Sequence, residues 1–503
     1  MTIADNTPII VGAGQCVERD YTESSPMDLA GRAASSAIEA SGGTGVGAAI
    51  DTIAVVRIFS DSAPMWASKL GRSNNPPQSV AKRVGAAPQH RIYSVTGGNE
   101  PQSLLLEFFA DLQAGRRDCV LLCGSEAIKN QRNAERNGLA LNWDEVFDEP
   151  LEDRGFGVWV ASQQERHNAL IAPIFYYQIL EEFRRQKLGL SREDYQAQMA
   201  RLLTSLNAVA VNNPYAQFPG PLSEADILGA DPLTHLYTKR MVAQDSVNQG
   251  AALVLTTVGR ARELGVPEAN WVYLHGGAQG LDVEITVRPD PSASEMAGAV
   301  INKTFEMAGK SIADIALVDI YSCFPVAVTA ISEALGLPSD GSRTLTLTGG
   351  LPYFGGPGNN YSMHGLAEMW RQVRSDPSQF AYVHANGGML SKHASGIFSC
   401  RPSAVDWSSV ETSISQDTLQ RCDLDEHPAS GTVIAYTVNY MKGQPVQAIV
   451  LCETDAGARF VSHTRPEDQD VVAEMVSGEP VGRRVAVSGT ADNEYALNFR
   501  FAE

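Results

Sequence analysis

The chain has 503 residues, 44% hydrophobic and 19% charged, with a formal net charge of -19. That length exceeds one small core and calls for two to four domains. The charge argues against a phosphate-backbone binder, which needs clustered Lys and Arg, but leaves room for a local basic patch around an anionic ligand. No apolar run is long enough to span a bilayer, and Met1 to Pro8 lacks the basic start and apolar core of a signal peptide, so a cytoplasmic location is expected. The seven cysteines are scattered, with no Cys-x-x-Cys and no His-Glu-x-x-His, so neither a disulfide framework nor a metal site follows.

Pro8 to Gly14 is predicted as a buried strand running into a turn. Val17 stands where a dinucleotide fingerprint needs its third glycine, so that reading fails. A helix over about Pro26 to Glu39, a strand at Ile50 to Arg57 and a strand at Arg91 to Val95 follow. Thr96-Gly-Gly-Asn-Glu-Pro-Gln102 opens a further helix, with Asn99 as N-cap and Gln102 placed as its capping-box partner. Its body, Leu104 to Leu112, is apolar nearly all round and belongs inside the molecule. The strand Asp118 to Gly124 is continuously apolar, as in a sheet covered on both faces, and its two cysteines are core residues.

From about residue 130 to 233 the pattern is helical and more polar, with amphipathic helices at Pro173 to Lys187 and Ser191 to Val211. This is a loop domain laid over strand ends, and Val242 to Val258 returns the chain to the sheet. Asp28-Leu-Ala-Gly31, a helix and Ile50 to Val56 are then echoed by Glu295-Met-Ala-Gly298, a helix and Ala313 to Asp319. The repeat predicts two related α/β halves that share one crevice, at 1–263 (loop domain included) and 264–405.

In the second half Tyr321-Ser-Cys-Phe324 ends a strand. Leu345 to His364 follows, in which a short alternating strand enters two glycine pairs, Gly349-Gly350 and Gly355-Gly356. Asn359 or Asn360 then caps a helix carrying Tyr361 and His364 in its first turn. Glycine permits close backbone approach and positive φ, and a helix start offers free N–H groups to an anion, so this stretch is read as the floor of a site. Tyr382-Val-His-Ala-Asn-Gly-Gly-Met-Leu-Ser-Lys-His393 adds Lys392 and His393. A Ser- and Asp-rich linker then leads to alternating segments between Thr432 and Phe501, a small all-β domain at 406–503.

Pro8-Ile-Ile-Val-Gly, Gly124-Ser-Glu126, Val211 to Phe218, Asp231-Pro-Leu233 and Gly250-Ala-Ala252 resemble the thiolase superfamily, in its sterol-carrier-protein branch and its type-1 thiolase-like members. The resemblance implies a duplicated five-layer α-β-α-β-α sandwich with an added OB-like C-terminal domain. It also implies coenzyme A thioester substrates with no covalently bound cofactor, and a monomer or a homodimer formed through the N-terminal sheet. The family's catalytic elements are altered. Gly98 stands at the nucleophilic cysteine's place, Tyr321 in the Asn-Glu-Ala-Phe or His-Asp-Cys-Phe element, Gly355-Gly356-Pro357 in place of Gly-His-Pro, and Asn386-Gly387-Gly388 in place of Cys-x-Gly. Loss of nucleophile and base together argues against acyl transfer through cysteine.

The groups left for chemistry are Tyr321, His393, His364 and Tyr361. Gly98, Asn99, Gly355, Gly356, Asn386, Gly387 and Lys392 are the expected substrate contacts. Three readings remain open: acyltransferase-type chemistry on CoA thioesters without a cysteine intermediate, retro-aldol cleavage with Tyr321 as acid/base, and a non-catalytic acyl-CoA or partner-binding module. A tyrosine takes the matching place in related steroid side-chain aldolases, where an OB-fold partner assists.

Overall fold

A computed structural model describes residues 3–490 and 493–502. The first half is a six-stranded mixed sheet made by β1 (Pro8–Val17), β2 (Thr52–Val55), β3 (His90–Tyr93), β4 (Cys119–Glu126), β5 (Glu152–Asp153) and β6 (Gln249–Thr257), in the order β1-β6-β4-β2-β3-β5. β4, β2, β3 and β5 run parallel, and β6 and β1 run antiparallel to their neighbours. β1 does not turn at Gly14 as the sequence suggests. It continues to Val17 because it is paired along its length with β6, Val17 facing Gln249.

The second half repeats the plan with β7 (Tyr273–Leu281), β8 (Ile315–Ile320), β9 (Phe380–Gly387) and β10 (Lys392–Ser399), in the order β7-β10-β9-β8. The strand expected at Leu345–Thr348 is irregular chain. Ile320 N–H reaches the Leu345 carbonyl, but Thr346 and Leu347 turn inward to meet the Asp319 carboxylate instead of extending a ladder. The Ser- and Asp-rich linker adds an edge strand, β11 (Ser413–Ile414), parallel to β7.

Two helices, Glu100–Gln113 and Tyr361–Ser375, lie between the sheets. One apolar cluster joins Leu105, Phe108 and Phe109 of the first, Met363, Leu366 and Met369 of the second, and the inner faces of both sheets. The helices Pro26–Ser41 and Glu295–Ala308 cover the outer faces, which completes five layers. The Pro26–Ser41 helix starts on a reciprocal Ser25–Asp28 capping box and stops at Gly42, whose φ is +69°.

The loop region contributes helices Pro173–Leu188 and Arg192–Ala210. The first is buried on more than one face, because it is wedged between the sandwich and the C-terminal domain, so the expected amphipathic pattern does not hold. That domain is a closed barrel of β12 (Ser430–Met441), β13 (Gln444–Glu453), β14 (Arg459–His463), β15 (Arg484–Thr490) and β16 (Asn493–Phe501). The expected β domain is thus a five-stranded barrel, and a helix at Gln469–Ser477 packs Val471, Val472 and Met475 into its core. No described helix is long and apolar enough to cross a membrane.

Candidate active site

The start of the central helix Glu100–Gln113 faces the ends of β8 and β9. A Cβ added at Gly98 would stand 2.5 Å from the Asn386 carbonyl oxygen and 2.7 Å from the Tyr321 hydroxyl. Gly387 is closed in the same way by the Asn99 side-chain oxygen and by the Gly98 amide. Glycine is therefore required at both positions by close approach. Neither the Gly98 nor the Asn99 N–H has an acceptor among the described residues, so the helix start presents two free donors beside a phenol.

Asn99 does not cap the helix. It adopts helical backbone angles with no side-chain cap bond, and its Nδ2 donates to Glu100 Oε1 and Ser103 Oγ at 3.2 and 3.1 Å. Its Oδ1, like Asn386 Oδ1, is buried without a partner. Gln102, the expected box partner, is buried with both side-chain atoms unpaired.

Tyr321 packs edge-on against Tyr361, ring centroids 5.2 Å apart. Burial pushes its hydroxyl well above the ordinary phenol range, with Cys323 and Tyr361 adding to the shift, so at neutral pH it is a donor. Burial likewise raises the Cys323 thiol to about 12, which removes it as a thiolate nucleophile.

Tyr361, on the following helix, shares a 2.6 Å hydrogen bond with Thr348 Oγ1. Asn360 holds the N-cap position without a side-chain cap bond, whereas Asn359 donates to the Arg57 carbonyl. His364 points into the first half, where Nδ1 meets Gln15 Oε1 at 2.7 Å. It is fully buried, and desolvation lowers it to about 3. Gly355 and Gly356 pack against Val247, Gln249 and Gln244, and Gly355 takes a φ of +116°. The structure thus brings Tyr321, Tyr361, Gly98, Asn99, Asn386 and Gly387 together, whereas His364 is held by Gln15 of β1 and Gly355 and Gly356 pack on the chain leading into β6.

Lys392 is opposite Gly387 in the β9–β10 ladder, and its Nζ donates to the Thr96 carbonyl at 2.8 Å. Burial lowers the amine, and the neighbouring Glu100 partly offsets this. Burial raises Glu100 to about 7 against the pull of Lys392 and Arg154. His393 is opposite Asn386 but turned into a buried chain. Its Nε2 meets Ser294 Oγ and the Leu390 carbonyl at 3.0 and 3.2 Å, and its Nδ1 meets His384 Nε2 at 3.1 Å. The Leu390 carbonyl can only accept, which puts the His393 proton on Nε2 and leaves neither ring nitrogen free. His393 and Asn99 also line a cleft of about 540 Å³, walled by Gln279, Leu281 and the linker segment Ser413 to Asp417.

Sequence reasoning missed Tyr177, from the loop-region helix. Its hydroxyl accepts from Asn386 Nδ2 at 2.9 Å and from the Leu390 N–H at 3.0 Å, and its ring stacks on Phe324 with centroids 4.3 Å apart. Nothing local marks it among its aromatic neighbours, because these contacts all lie more than 100 residues away.

No family model and no curated protein matches the sequence. Among solved structures, a monomeric SCP2-thiolase-like protein type 1 from Mycobacterium smegmatis is 35% identical, with all of each chain covered and a TM-score of 0.83. This chain belongs to the thiolase-like superfamily, with the SCP2-thiolase-like proteins of type 1. An aldolase described as Ltp2-ChsH2(DUF35) is 18% identical over 78% of this chain and 98% of its own, with a TM-score of 0.58. An acetyl-CoA acetyltransferase from Syntrophomonas wolfei is 14% identical over 79% of this chain and all of its own, with a TM-score of 0.57. These two share the fold of the sandwich. In this thiolase-like chain the spot beside the helix start is occupied by the Tyr321 phenol.

Proposed function

We propose that this thiolase-like chain performs carbon–acyl chemistry on coenzyme A thioesters without an acyl-cysteine intermediate, an acyltransferase activity in which Tyr321 is the proton donor. The placement of the Tyr321 hydroxyl against Gly98, beside the two free N–H groups of Gly98 and Asn99, carries this reading. Paired backbone donors at a helix start stabilise charge that develops on a thioester oxygen. A neutral buried phenol next to them supplies a proton to an enolate or alkoxide oxygen. The fold shared with an acetyl-CoA acetyltransferase supports the substrate class.

The test is a panel of acyl-, 3-ketoacyl- and 3-hydroxyacyl-CoA substrates assayed for transfer, thiolysis and retro-aldol cleavage. Tyr321→Phe is expected to lose about 100-fold or more in rate, the scale of general acid–base catalysis. Inactivity of the unaltered protein throughout the panel would overturn the proposal. The 3-hydroxyacyl arm reads out retro-aldol cleavage with the same tyrosine.

A second reading is favoured by one observation: the contact between Gly98 and Tyr321 leaves no space for a methyl group. Acyl-CoA binding detected by calorimetry, with no turnover, would mark a binding module.

A further inference from the structure

The turn between β9 and β10 carries Asn386 and Gly387 into the site, and it is strained. Leu390 has a φ of +54°, in the left-handed region that disfavours a side chain. Such a conformation persists only where surrounding contacts over-determine it. Here they do so from both sides, and both sets of contacts lead back to the barrel.

One arm is the helix Pro173–Leu188. On its inner face Tyr177 accepts from the Leu390 N–H and from Asn386 Nδ2. On the same face, one turn further on, Glu181 Oε1 accepts from the Val326 N–H at 2.8 Å. Glu182 and Arg185 serve the barrel side. Glu182 pairs with Arg185 at 2.9 Å and with His235 at 2.6 Å, and the His235 ring lies flat on Tyr436 of β12, centroids 4.5 Å apart. Arg185 also pairs with Glu479, and Arg192 donates to the Tyr436 hydroxyl, each at 2.7 Å.

The second arm runs through Arg459 of β14. Its guanidinium donates to the carbonyls of Arg288 and Pro289. The Arg288 side chain is itself buried and reaches the Met389 carbonyl at 3.5 Å, inside the same turn. His393 closes the clasp by facing the Leu390 carbonyl.

We propose that the barrel is a clamp that holds the Gly388–Leu390 turn in its left-handed form, with Tyr177 as the positioning residue that transmits it to Asn386. The barrel acts through the turn and contributes no group to the chemistry. The inference stands whichever reaction the site performs.

The experiment is hydrogen–deuterium exchange of the full chain, read by mass spectrometry over residues 384–393. Alkylation of Cys323 by N-ethylmaleimide is mapped in parallel, since this thiol lies 3.9 Å from Asn386 Nδ2. Tyr177→Phe, which removes only a hydroxyl, is expected to speed exchange in the turn about tenfold and Cys323 alkylation in step, from the loss of three hydrogen bonds, one of them donated to the Gly388 carbonyl at 3.4 Å. Arg459→Ala is expected to do the same from the barrel side, with β1 and β6 unchanged. Should Arg459→Ala fail to fold, Tyr436→Phe replaces it. In a Leu390→Gly background, where the left-handed conformation carries no strain, both effects should shrink below about threefold, the signature of coupling through this residue. Wild-type exchange in the turn for Tyr177→Phe or the barrel variant overturns the proposal. So does a rise spread evenly over the chain, or full effects persisting with glycine at 390.

Discussion

Tyr321 and Gly98 are sterically matched: the phenol occupies the volume that a side chain at residue 98 would need. A thiol at residue 98 is therefore excluded by Tyr321, quite apart from the absence of a base to activate it. Gly98→Ala should destabilise the fold by about 1–3 kcal/mol, the usual cost of overpacking. Tyr321→Phe in that background should recover part of it, because the hydroxyl is removed while the Asn386 carbonyl still crowds the new methyl. Urea denaturation of the two variants checks this, and equal stability of Gly98→Ala and the unaltered protein would refute the packing argument.

At the same scale, the chemical identity of the candidate residues was readable and their roles were not. Tyr321, Gly98, Asn386 and Gly387 could be placed together because they sit at strand ends and a helix start, where an α/β fold gathers them. His364 and His393 looked equally suited to proton transfer. Only the packing showed that Gln15 holds Nδ1 of His364 while its Nε2 is buried without a partner, and that the Ser294–His384 chain occupies both nitrogens of His393.

At the scale of elements, the interfaces between helices and sheets hide titratable groups of both kinds, and the signs of their shifts differ. Burial lowers His364 and His393 to about 3 and His275 to about 4. The unfolded chain binds protons there below about pH 6.5 while the folded chain does not, so stability falls as pH drops below that value. Burial raises Glu126 to about 8, and Glu100 and Glu181 to about 7. These carboxyls ionise in the unfolded chain above about pH 4.5 but stay protonated in the fold, so their stabilisation is lost as pH rises through 7 to 8.

The two limbs predict a melting temperature that peaks between about pH 5 and 6.5. Glu126→Gln, which keeps an uncharged acceptor for the Phe59 N–H, should flatten the decline from pH 6.5 to 8 in scanning calorimetry. An unchanged alkaline limb in that variant would remove Glu126 from the account. The failed Asn99 cap belongs to this scale too: local preference for a cap was overridden by Glu100 and Ser103, which claim the amide.

At the scale of the whole molecule, the first sheet ends in β5, whose residues Glu152 and Asp153 pair with Ile92 and Tyr93 and so cover the outer edge of β3. Asp153 is also ion-paired to the buried Arg57. The β3–β5 pairing shortens the edge β3 offers to a second copy, while at the other end of the sheet the edge strand β1 is met on its outer side by an Ile10–Val272 bridge from the second half. A monomer is expected from size-exclusion chromatography with light scattering at micromolar concentration, as described for the Mycobacterium smegmatis relative. A stable dimer mass would show that another surface associates.

By itself the sequence determined the periodic features of this protein: two repeats of strand and helix, a buried central helix, alternating segments beyond residue 430, and the absence of a thiol at residue 98. Those are carried by apolar spacing and residue identity over short windows, which is information a single segment holds. The tertiary structure alone decided that β1 runs on to Val17, that Leu345–Thr348 abandons strand form for Asp319, that β5 and β11 close sheet edges, and that Tyr177 and Arg288 grip a strained turn. Each of these depends on hydrogen-bond partners or close contacts many residues away, so no local preference encodes it.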